Sequence, residues 1–326
     1  MMRCLALAQA VIASGGNTRL VTATSNQLLL QRARTQGTDV IPIAPDTTVD
    51  DAAAVRRVLE EDRPSWLVVD GYEFDDSYLE QVASTKTRVL FIDDLATLPR
   101  FPVAALLNQN AHVGLLRYPT DVPPIMLLGL EYVVLRPEFW KTAPPQRDRV
   151  DGRHLLVMFG GADPLHMTLQ SVDALTASDT PDLEIAVVVG PANQDAVQIE
   201  ALAARRPGRV RLLHDVRAMR ELMTWADLAL SAGGQSVWEM AYMGLPAVVV
   251  QTGPAEDLGM QGLRQVGLFD ATAKAGLTDL QEIRGTVLRR LADPDWRYAM
   301  STRGQQLVDG HGCARILHEL ELGELD

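Results

Sequence analysis

The chain has 326 residues, 47% of them hydrophobic and 22% charged, which is enough apolar sequence for two folded domains and argues against disorder. Its net charge of −12 at pH 7 argues against a nucleic-acid surface, because a phosphate backbone requires a basic face. The sequence has no apolar run near the roughly 20 residues that span a bilayer and no signal-peptide pattern, and its two cysteines, Cys4 and Cys313, are typical of a reducing compartment. We expect a cytoplasmic protein with no membrane span and no nucleic-acid partner.

The first residues have the pattern of a helix with nothing ahead of it. Residues 1–10 read MMRCLALAQA, and a strand-like run at 17–23 follows the turn Ser14-Gly15-Gly16. In an α/β domain the first helix normally follows a first strand, and the turn between them is a usual site for a phosphate or sugar. We therefore expect that the first strand of the N-terminal domain and its turn are missing ahead of Met1.

Strand-like and helical stretches alternate along the rest of the chain. In the first half, strands are predicted at 18–22, 39–44, 66–70, 88–93 and 105–110, with helices at 27–36, 49–61 and 75–83. In the second half, strands are predicted at 154–159, 184–189, 210–214, 228–231 and 247–251, with helices at 167–177, 193–204, 217–225 and 236–243.

Continuous apolar strands such as LEIAVVV are what a parallel sheet covered on both faces requires. Residues 141–152 contain two prolines and several charges and are the natural linker. The sequence therefore predicts an α/β fold of two Rossmann-like, doubly wound domains, residues 1–143 and 144–326, with a ligand cleft between them.

The strongest local signal is the run SAGGQSVWEMAYMGLP at 231–246. Gly233 and Gly234 let the backbone approach a ligand closely, and Ser236 offers a hydroxyl at a helix start, which together suit a diphosphate. Glu239 falls about one turn later, where it could accept hydrogen bonds from a ribose diol. The alternative is a structural turn in which Ser236 caps the helix and Glu239 is a first-turn acid.

Two weaker turns lie in the same half. The run FGGADP follows the first strand of that half, at the edge where open α/β sheets bind ligands. The run HDVR at 214–217 is a loop type that can read a base through its backbone. A structural turn explains the first equally well, and a capped helix start is the favoured explanation of the second.

Polar residues also end two strands of the first half. Asp93 and Asp94 could bind sugar hydroxyls or serve as a cap, and the same alternatives apply to the run Asn108-Gln109-Asn110. The histidines have no metal-ligand spacing such as HExxH, and two cysteines cannot build a zinc site. The sequence also lacks a Walker A lysine motif and a GxSxG elbow. We expect no metal and no cofactor.

Taken in order, these segments resemble a known family. The matching runs are MRCLALAQAV, WLVVDGY, FIDDLA, LLNQN, LLGLEYVVLRPEF, LVMFGGADP, DVRAM and ELMTWADLALSAGGQSVWEMAYMGLPAVVV, between residue 1 and about residue 250. The second half resembles the nucleotide-binding domain of GT-B glycosyltransferase-fold proteins. The whole chain is similar to the PseG/SpsG-like UDP-sugar hydrolases of pseudaminic acid biosynthesis, which implies a GT-B fold and the release of a diacetamido-trideoxy sugar from UDP.

The resemblance also shows departures from the family pattern. In the family the segment aligned with MRCLALA is preceded by a G-x-G-H-x-M-R turn whose His is the proposed catalytic residue; Arg3 aligns with the motif Arg, and the His would lie upstream of Met1. A start codon placed too late and a truly shortened chain would each explain its absence. Tyr72 keeps the tyrosine expected near the sugar, but Gly71 replaces a histidine.

A second departure lies where the family carries an Asn-Gln pair that faces the sugar and the diphosphate. Here the sequence is AEDLGMQG, and Gln261 is the candidate for part of that role. The resemblance thus implies Tyr72 as an accessory catalytic residue. The candidate substrate-binding residues are Arg3, Asp93, Asp94, Asn110, Gly160, Gly161, Asp163, Val216, Met219, Ser231, Gly233, Gly234, Gln235, Ser236, Glu239 and Gln261.

The leading hypothesis is a monomeric, metal-independent UDP-sugar hydrolase that inverts the anomeric carbon. The glycine turn would stabilise the leaving UDP, and without the family His we expect UDP-sugar binding with little turnover. One alternative is a GT-B glycosyltransferase that uses the same donor. The other is an inactive UDP-sugar-binding protein.

Overall fold

The computed structural model describes residues 1–44, 48–119, 125–147, 152–177, 183–214, 216 and 218–323. The chain forms two compact units. Unit 1 consists of Met1–Trp140 and Gly310–Asp326, and unit 2 of Lys141–Asp309. No helix in the described ranges combines the length and hydrophobicity that crossing a bilayer requires.

Unit 1 alternates helices and parallel strands. Its elements up to the unit boundary are α1 (Met2–Ala13), β1 (Arg19–Thr22), α2 (Gln27–Thr35), β2 (Asp39–Pro42), α3 (Thr48–Asp62), β3 (Trp66–Asp70), α4 (Asp76–Ala83), β4 (Arg88–Ile92), β5 (Ala105–Asn108), β6 (Ile125–Leu128) and α5 (Pro137–Trp140). Short 3-10 helices lie at Ala111–Leu115 and Leu130–Tyr132. The sheet order is β3-β4-β5-β6, and β1 pairs with β2.

The β3–β6 sheet of unit 1 is covered on both faces. Leu90 and Ile92 of β4 pack in one cluster with Ala6 of α1, while Val89 and Phe91 pack in another with residues of α3 and α4. Alternate residues of one strand thus enter different cores, as the period of a strand requires. This explains why β4 is apolar at every position except its first.

Unit 2 contains one six-stranded parallel sheet. Its elements are β7 (His154–Met158), α6 (Met167–Thr176), β8 (Glu184–Val189), α7 (Ala196–Ala204), β9 (Val210–His214), α8 (Met219–Trp225), β10 (Leu228–Ala232), α9 (Ser236–Tyr242), β11 (Ala247–Gln251), α10 (Asp257–Gln265), β12 (Asp270–Lys274), α11 (Leu280–Leu291) and α12 (Pro294–Leu307). The order is β12-β11-β10-β7-β8-β9. The chain runs outward from β7 to β9 and then returns to place β10 on the other side of β7, so the topological switch point lies between β7 and β10.

The last helix, α13 (Gly312–Glu319), returns to unit 1. Cys313, Ile316 and Leu317 are buried in the same cluster as Leu90 and Ala6. The prediction that 144–326 form the second domain is therefore wrong at its end, because the apolar face of α13 completes the core of unit 1. The unit boundary at 140/141 falls close to the predicted linker.

Most predicted strands and helices are present, with ends that shift by a few residues. The strand predicted at 105–110 ends at Asn108, because its Oδ1 accepts the N–H of Asn110 and the chain turns there. The helix predicted at 193–204 begins at Ala196 after a turn in which Asn193 Oδ1 accepts the N–H of Asp195. The edge strands β6 and β12 were not predicted, since short strands at an edge carry a weak pattern.

Candidate functional site

Polar side chains converge at one edge of the unit 1 sheet. Asp70 ends β3, Asp94 follows β4 and Asn110 follows β5. Because these three strands are neighbours and parallel, their carboxyl ends lie side by side at the edge where open α/β sheets bind ligands. We call these three residues, with Arg3 and Tyr72, the strand-end cluster.

Arg3 of α1 lies between two carboxylates of this cluster. Its Nη2 and Nε donate to the oxygens of Asp70 at 2.5 and 3.2 Å, and its Nη1 donates to Asp94 Oδ1 at 2.7 Å. The Arg3 and Asp70 side chains are only 14% and 7% exposed. Burial alone would raise the pKa of Asp70, but the hydrogen bonds and charge of Arg3 outweigh it and hold that pKa below its ordinary value.

Asp94 is the centre of the cluster. Besides Arg3, its Oδ1 accepts from Asn110 Nδ2 at 2.6 Å and its Oδ2 from the Tyr72 hydroxyl at 2.9 Å. Its carbonyl oxygen lies 2.8 Å from Nε2 of the buried His112. Asp94 is therefore fixed at both backbone and side chain, and four of the predicted residues meet here: Arg3, Tyr72, Asp94 and Asn110.

Tyr72 covers Asp94 from outside. The residue is 76% exposed, whereas its hydroxyl donates to the Asp94 carboxylate. Burial of the hydroxyl and the adjacent Asp94 raise the pKa of Tyr72 to about 12, so the group remains a donor at neutral pH.

Asp93 has a structural role in this geometry. Its Oδ2 accepts from the Tyr118 hydroxyl at 2.7 Å and from the N–H of Ala96 at 2.8 Å, and the residue is 6% exposed. Asn108 is fully buried and donates to the same Tyr118 hydroxyl at 3.0 Å. These hydrogen bonds hold the segments that follow β4 and β5 in place. They correspond to the structural alternative given for Asp93, in which the residue serves as a cap.

In unit 2, two loops meet at the carboxyl edge of β7 and β8. A Cβ on Gly190 would lie 2.3 Å from Gly161 O and 2.4 Å from Gly160 O, so only glycine fits there. The N–H of Ala192 donates to Gly161 O at 3.0 Å and ties the loops together. Gly160, at φ +82°, and Gly161 leave open space on their outer side, where an added Cβ would meet nothing within 4 Å. We call residues 159–166 and 190–195 the paired loops.

The turn after β10 lies on the other side of the switch point. Gly234 also has open space beside it, whereas a Cβ on Gly233 would approach Met260 Sδ at 3.3 Å and Glu256 Oε2 at 3.4 Å. Ser236 opens α9, and the side chain of Gln235 at the N-cap makes no capping hydrogen bond. The open face of this turn and that of the paired loops flank the switch point of the sheet.

Glu256 adds a negative charge beside this turn. Its carboxylate accepts from the N–H of Thr252 at 2.6 Å and from Thr252 Oγ1 at 2.9 Å. Within the described residues, no Lys or Arg forms an ion pair with it. The carboxylate of Glu256 therefore places a negative charge beside Gly233, which disfavours an anion at that position.

The remaining predicted residues of unit 2 differ in their exposure and in the element that carries them. Asp163 is 5% exposed and caps α6, since its oxygens accept the N–H groups of Met167 and Thr168 at 3.0 and 2.7 Å. Ser231 and Glu239 are also buried, at 2% and 5% exposure. Val216 is half-buried between positions outside the described residues, Met219 opens α8, and Gln261 is exposed on α10.

The structure adds residues that the sequence analysis did not select. Asp70 belongs to the strand-end cluster. The sequence feature that could have identified it is an acidic residue at the end of a strand, as at Asp93 and Asp94. Glu256 lies in the run AEDLGMQG, and no local sequence signal indicates that its carboxylate lies beside the glycine turn. Among the described residues, no group of three or more His, Cys, Asp or Glu side chains is arranged to hold a metal ion.

Comparison with known proteins agrees with this architecture. Residues 154–295 match the glycosyltransferase family 28 C-terminal domain. The spore coat polysaccharide biosynthesis protein SpsG of Bacillus subtilis is 27% identical over 199 residues, which cover 58% of this chain and 56% of that protein. The chain spans about half the length of the curated relatives it matches, 40% of one and 56% of the other.

Solved structures show the fold. MurG of Acinetobacter baumannii has a TM-score of 0.65 at 15% identity, over 98% of this chain and 95% of its own. UDP-GlcNAc 2-epimerase of Neisseria meningitidis, bound to UDP-GlcNAc, has a TM-score of 0.62 at 12% identity, over 98% and 97%. The resemblance expected from the sequence is confirmed: the chain is a relative of SpsG with the GT-B fold of MurG, and its residues 154–295 match the glycosyltransferase family 28 C-terminal domain.

Proposed function

We propose that this chain is a UDP-sugar hydrolase of surface polysaccharide or pseudaminic-type acid biosynthesis. The observation that carries the proposal is the open glycine face on both sides of the unit 2 switch point, the place where a doubly wound sheet binds a nucleotide. The relationship to SpsG supports the biosynthetic role. The UDP-GlcNAc bound to the epimerase of the same fold supports the nucleotide sugar.

The diphosphate is assigned to the backbone of Gly160, Gly161 and Gly234 with Ser236. Glycine permits the approach of the phosphate oxygens to main-chain N–H groups, which carry no side chain in the way. Glu239 is proposed for the ribose diol, and the segment that includes Val216 and Met219 for the base.

The sugar is assigned to the strand-end cluster of unit 1. Its carboxylate, amide and guanidinium groups supply both acceptors and donors, the mixture that a polyhydroxylated ligand with acetamido groups requires. Asp94 Oδ2 is the proposed acceptor for a sugar hydroxyl that displaces Tyr72. The freed tyrosine hydroxyl would then help place water or sugar.

The proposed reaction is a direct displacement at the anomeric carbon. The oxygen of water bonds to that carbon, the bond to the UDP oxygen breaks, and UDP leaves with the electron pair. The products are the free sugar, UDP and a proton, with inversion at the carbon. Backbone N–H groups at the glycine turns would stabilise the charge that develops on the diphosphate.

Transfer of the sugar to an acceptor is the second candidate, because residues 154–295 match a glycosyltransferase domain. The two reactions differ in whether an acceptor is needed. Since little turnover is expected of this chain, we expect prolonged incubation with UDP-2,4-diacetamido-2,4,6-trideoxy-hexose in buffer alone to release free sugar slowly, detected by NMR, and an equal amount of UDP, detected by chromatography. Release only after addition of an acceptor would favour transfer, and UDP-sugar binding without release of sugar would refute both reactions.

A substitution tests the strand-end cluster within the same assay. Asp94→Asn keeps the size of the side chain but removes the charge that would hold the sugar, and we expect a loss of about tenfold or more in kcat/KM. Asp76→Asn is the matched control, because Asp76 forms an exposed ion pair with Arg100 at 2.7 Å in the same unit. Equal losses in both variants would remove Asp94 from the site.

A further inference from the structure

We propose that His166 is the positively charged contact of the diphosphate in unit 2 and that Asp195 is the positioning residue that holds its imidazole. This inference rests on the proposed function, because it takes a nucleoside diphosphate as the ligand of the glycine edge. It names a residue pair that neither the sequence analysis nor the proposed function uses.

The pair has an ordered carboxylate and an accessible ring. His166 Nδ1 lies 2.6 Å from Asp195 Oδ2, and the two side chains are 49% and 10% exposed. Asp195 is fixed by its own N–H, which donates to Asn193 Oδ1 at 2.8 Å. Although Asp195 is the N-cap of α7, its side chain makes no capping hydrogen bond. The carboxylate is therefore committed to the imidazole.

The backbone of the loop also favours this placement of His166. Its φ is +58°, and that of Asp163 in the same loop is +47°, both in the left-handed region that non-glycine residues rarely adopt. The capping contacts of Asp163 and the hydrogen bond from His166 N to Asp163 O at 3.0 Å maintain this conformation. Such strained positions cluster at ligand sites, where the surrounding structure holds a side chain in place.

His166 and Asp195 belong one to each of the paired loops. The hydrogen bond from Ala192 N to Gly161 O and the absence of a side chain at Gly190 bring these loops into contact. The imidazole is thus carried by the same loop pair that presents the open faces of Gly160 and Gly161.

The charges of these segments favour His166 as the contact of an anion. The paired loops and the turn at 233–235 contain no Lys or Arg, and His166 is the only basic residue in them. Two carboxylates belong to the paired loops: Asp195, which lies 2.6 Å from the imidazole, and Asp163, whose oxygens accept the N–H groups of Met167 and Thr168. On α11, which also packs on α6, Asp279 caps the helix through the N–H of Gln281 at 2.9 Å.

A diphosphate that reaches this edge would favour the protonated imidazole, because two anions then flank it. In that state Nδ1–H donates to Asp195 and Nε2–H is free to donate to a phosphate oxygen. Charge-assisted hydrogen bonds of this kind are the stronger class.

The experiment is calorimetric titration of the full chain with UDP and with uridine, which lacks the phosphates. His166→Asn removes the charge, and Asn tolerates the left-handed backbone. We expect this variant to bind UDP about tenfold more weakly and uridine as the parent does. His154→Asn is the matched control, because His154 pairs with Asp227 at 3.2 Å at the opposite end of β7, and we expect no change in its affinity for UDP.

Asp195→Asn tests whether Asp195 positions the imidazole of His166, through a measurement that a loss of stability alone would not change. Titrations in buffers of different ionisation enthalpy report the protons taken up when UDP binds. The parent is expected to take up protons, and both Asp195→Asn and His166→Asn are expected to take up fewer.

Two results would overturn the inference. If the parent binds UDP and His166→Asn binds it equally well, His166 is not the contact and the proposed function remains intact. If His166→Asn lowers the affinity for uridine as much as the affinity for UDP, the residue affects the binding of the nucleoside or the stability of the fold, and not the diphosphate. A parent that does not bind UDP refutes the proposed function itself, which is a distinguishable outcome.

Discussion

Arg3 illustrates how a single side chain can serve both stability and a candidate site. It bridges Asp70 and Asp94, and all three groups are largely buried. Buried ion pairs contribute little compared with apolar packing, but removal of one partner leaves charges without compensation. The strand-end cluster is therefore sensitive to any change at this position.

For Arg3→Met we expect a loss of about 3 kcal/mol in the free energy of unfolding, because two carboxylates lose their cation. Urea denaturation measures this loss. Arg100→Met is the control, since its pairs with Asp76 and Glu80 are exposed, and its loss should stay under about 1 kcal/mol. Similar losses in the two variants would contradict the importance of the buried pair.

The pKa of Asp70 predicts a dependence of stability on pH. Because its folded pKa lies below its unfolded value of about 3.9, the ionised form stabilises the folded state above about pH 4. That stabilisation is lost as the pH falls through the folded pKa. We expect unfolding free energies measured at stepped pH to decline more steeply below about pH 4 in the parent than in Asp70→Asn. Parallel curves would show that Asp70 does not contribute.

At the scale of elements, the paired loops depend on close backbone contact. A methyl group at Gly190 would overlap two carbonyl oxygens of the facing loop. We expect Gly190→Ala to cost about 1–3 kcal/mol of unfolding free energy and to abolish UDP binding, because the loops must separate.

Gly259→Ala is the control for this element. It lies within α10, and an added Cβ there meets nothing within 4 Å. Alanine favours a helix interior by roughly 0.5–1 kcal/mol over glycine, so this variant should be at least as stable as the parent and should bind UDP normally. Calorimetric titration decides the comparison, and intact UDP binding by Gly190→Ala would refute the role of the loop contact.

At the scale of the whole molecule, the end of the chain stabilises the beginning of it. α13 buries Ile316 in the cluster that contains Leu90 of β4. Ile316→Ala should cost about 3 kcal/mol through lost burial and a cavity, with the exposed His318→Ala as a near-neutral control. Hydrogen exchange should show the loss of protection in β3–β6 of unit 1, and a loss confined to unit 2 would contradict the assignment of α13.

The sequence by itself determined the α/β class, most of the strands and the glycine turns at the switch point, because these follow from local apolar patterns and from the backbone freedom of glycine. It also predicted that Asp94 and Asn110 belong to a site, through their positions at strand ends, and the family resemblance added Arg3. These features depend on neighbours in the chain or on the regular alignment of parallel strands.

Only the tertiary structure decided which polar residues share contacts. Asp93 and Asp94 are adjacent in sequence, yet the first braces Tyr118 and the second holds Arg3 and Tyr72. Local sequence patterns likewise could not predict that α13 returns to unit 1 or that His166 pairs with Asp195, 29 residues away. The physical reason is that strand direction fixes where side chains arrive along an edge, whereas their hydrogen-bond partners depend on loops whose paths are set by packing between distant segments.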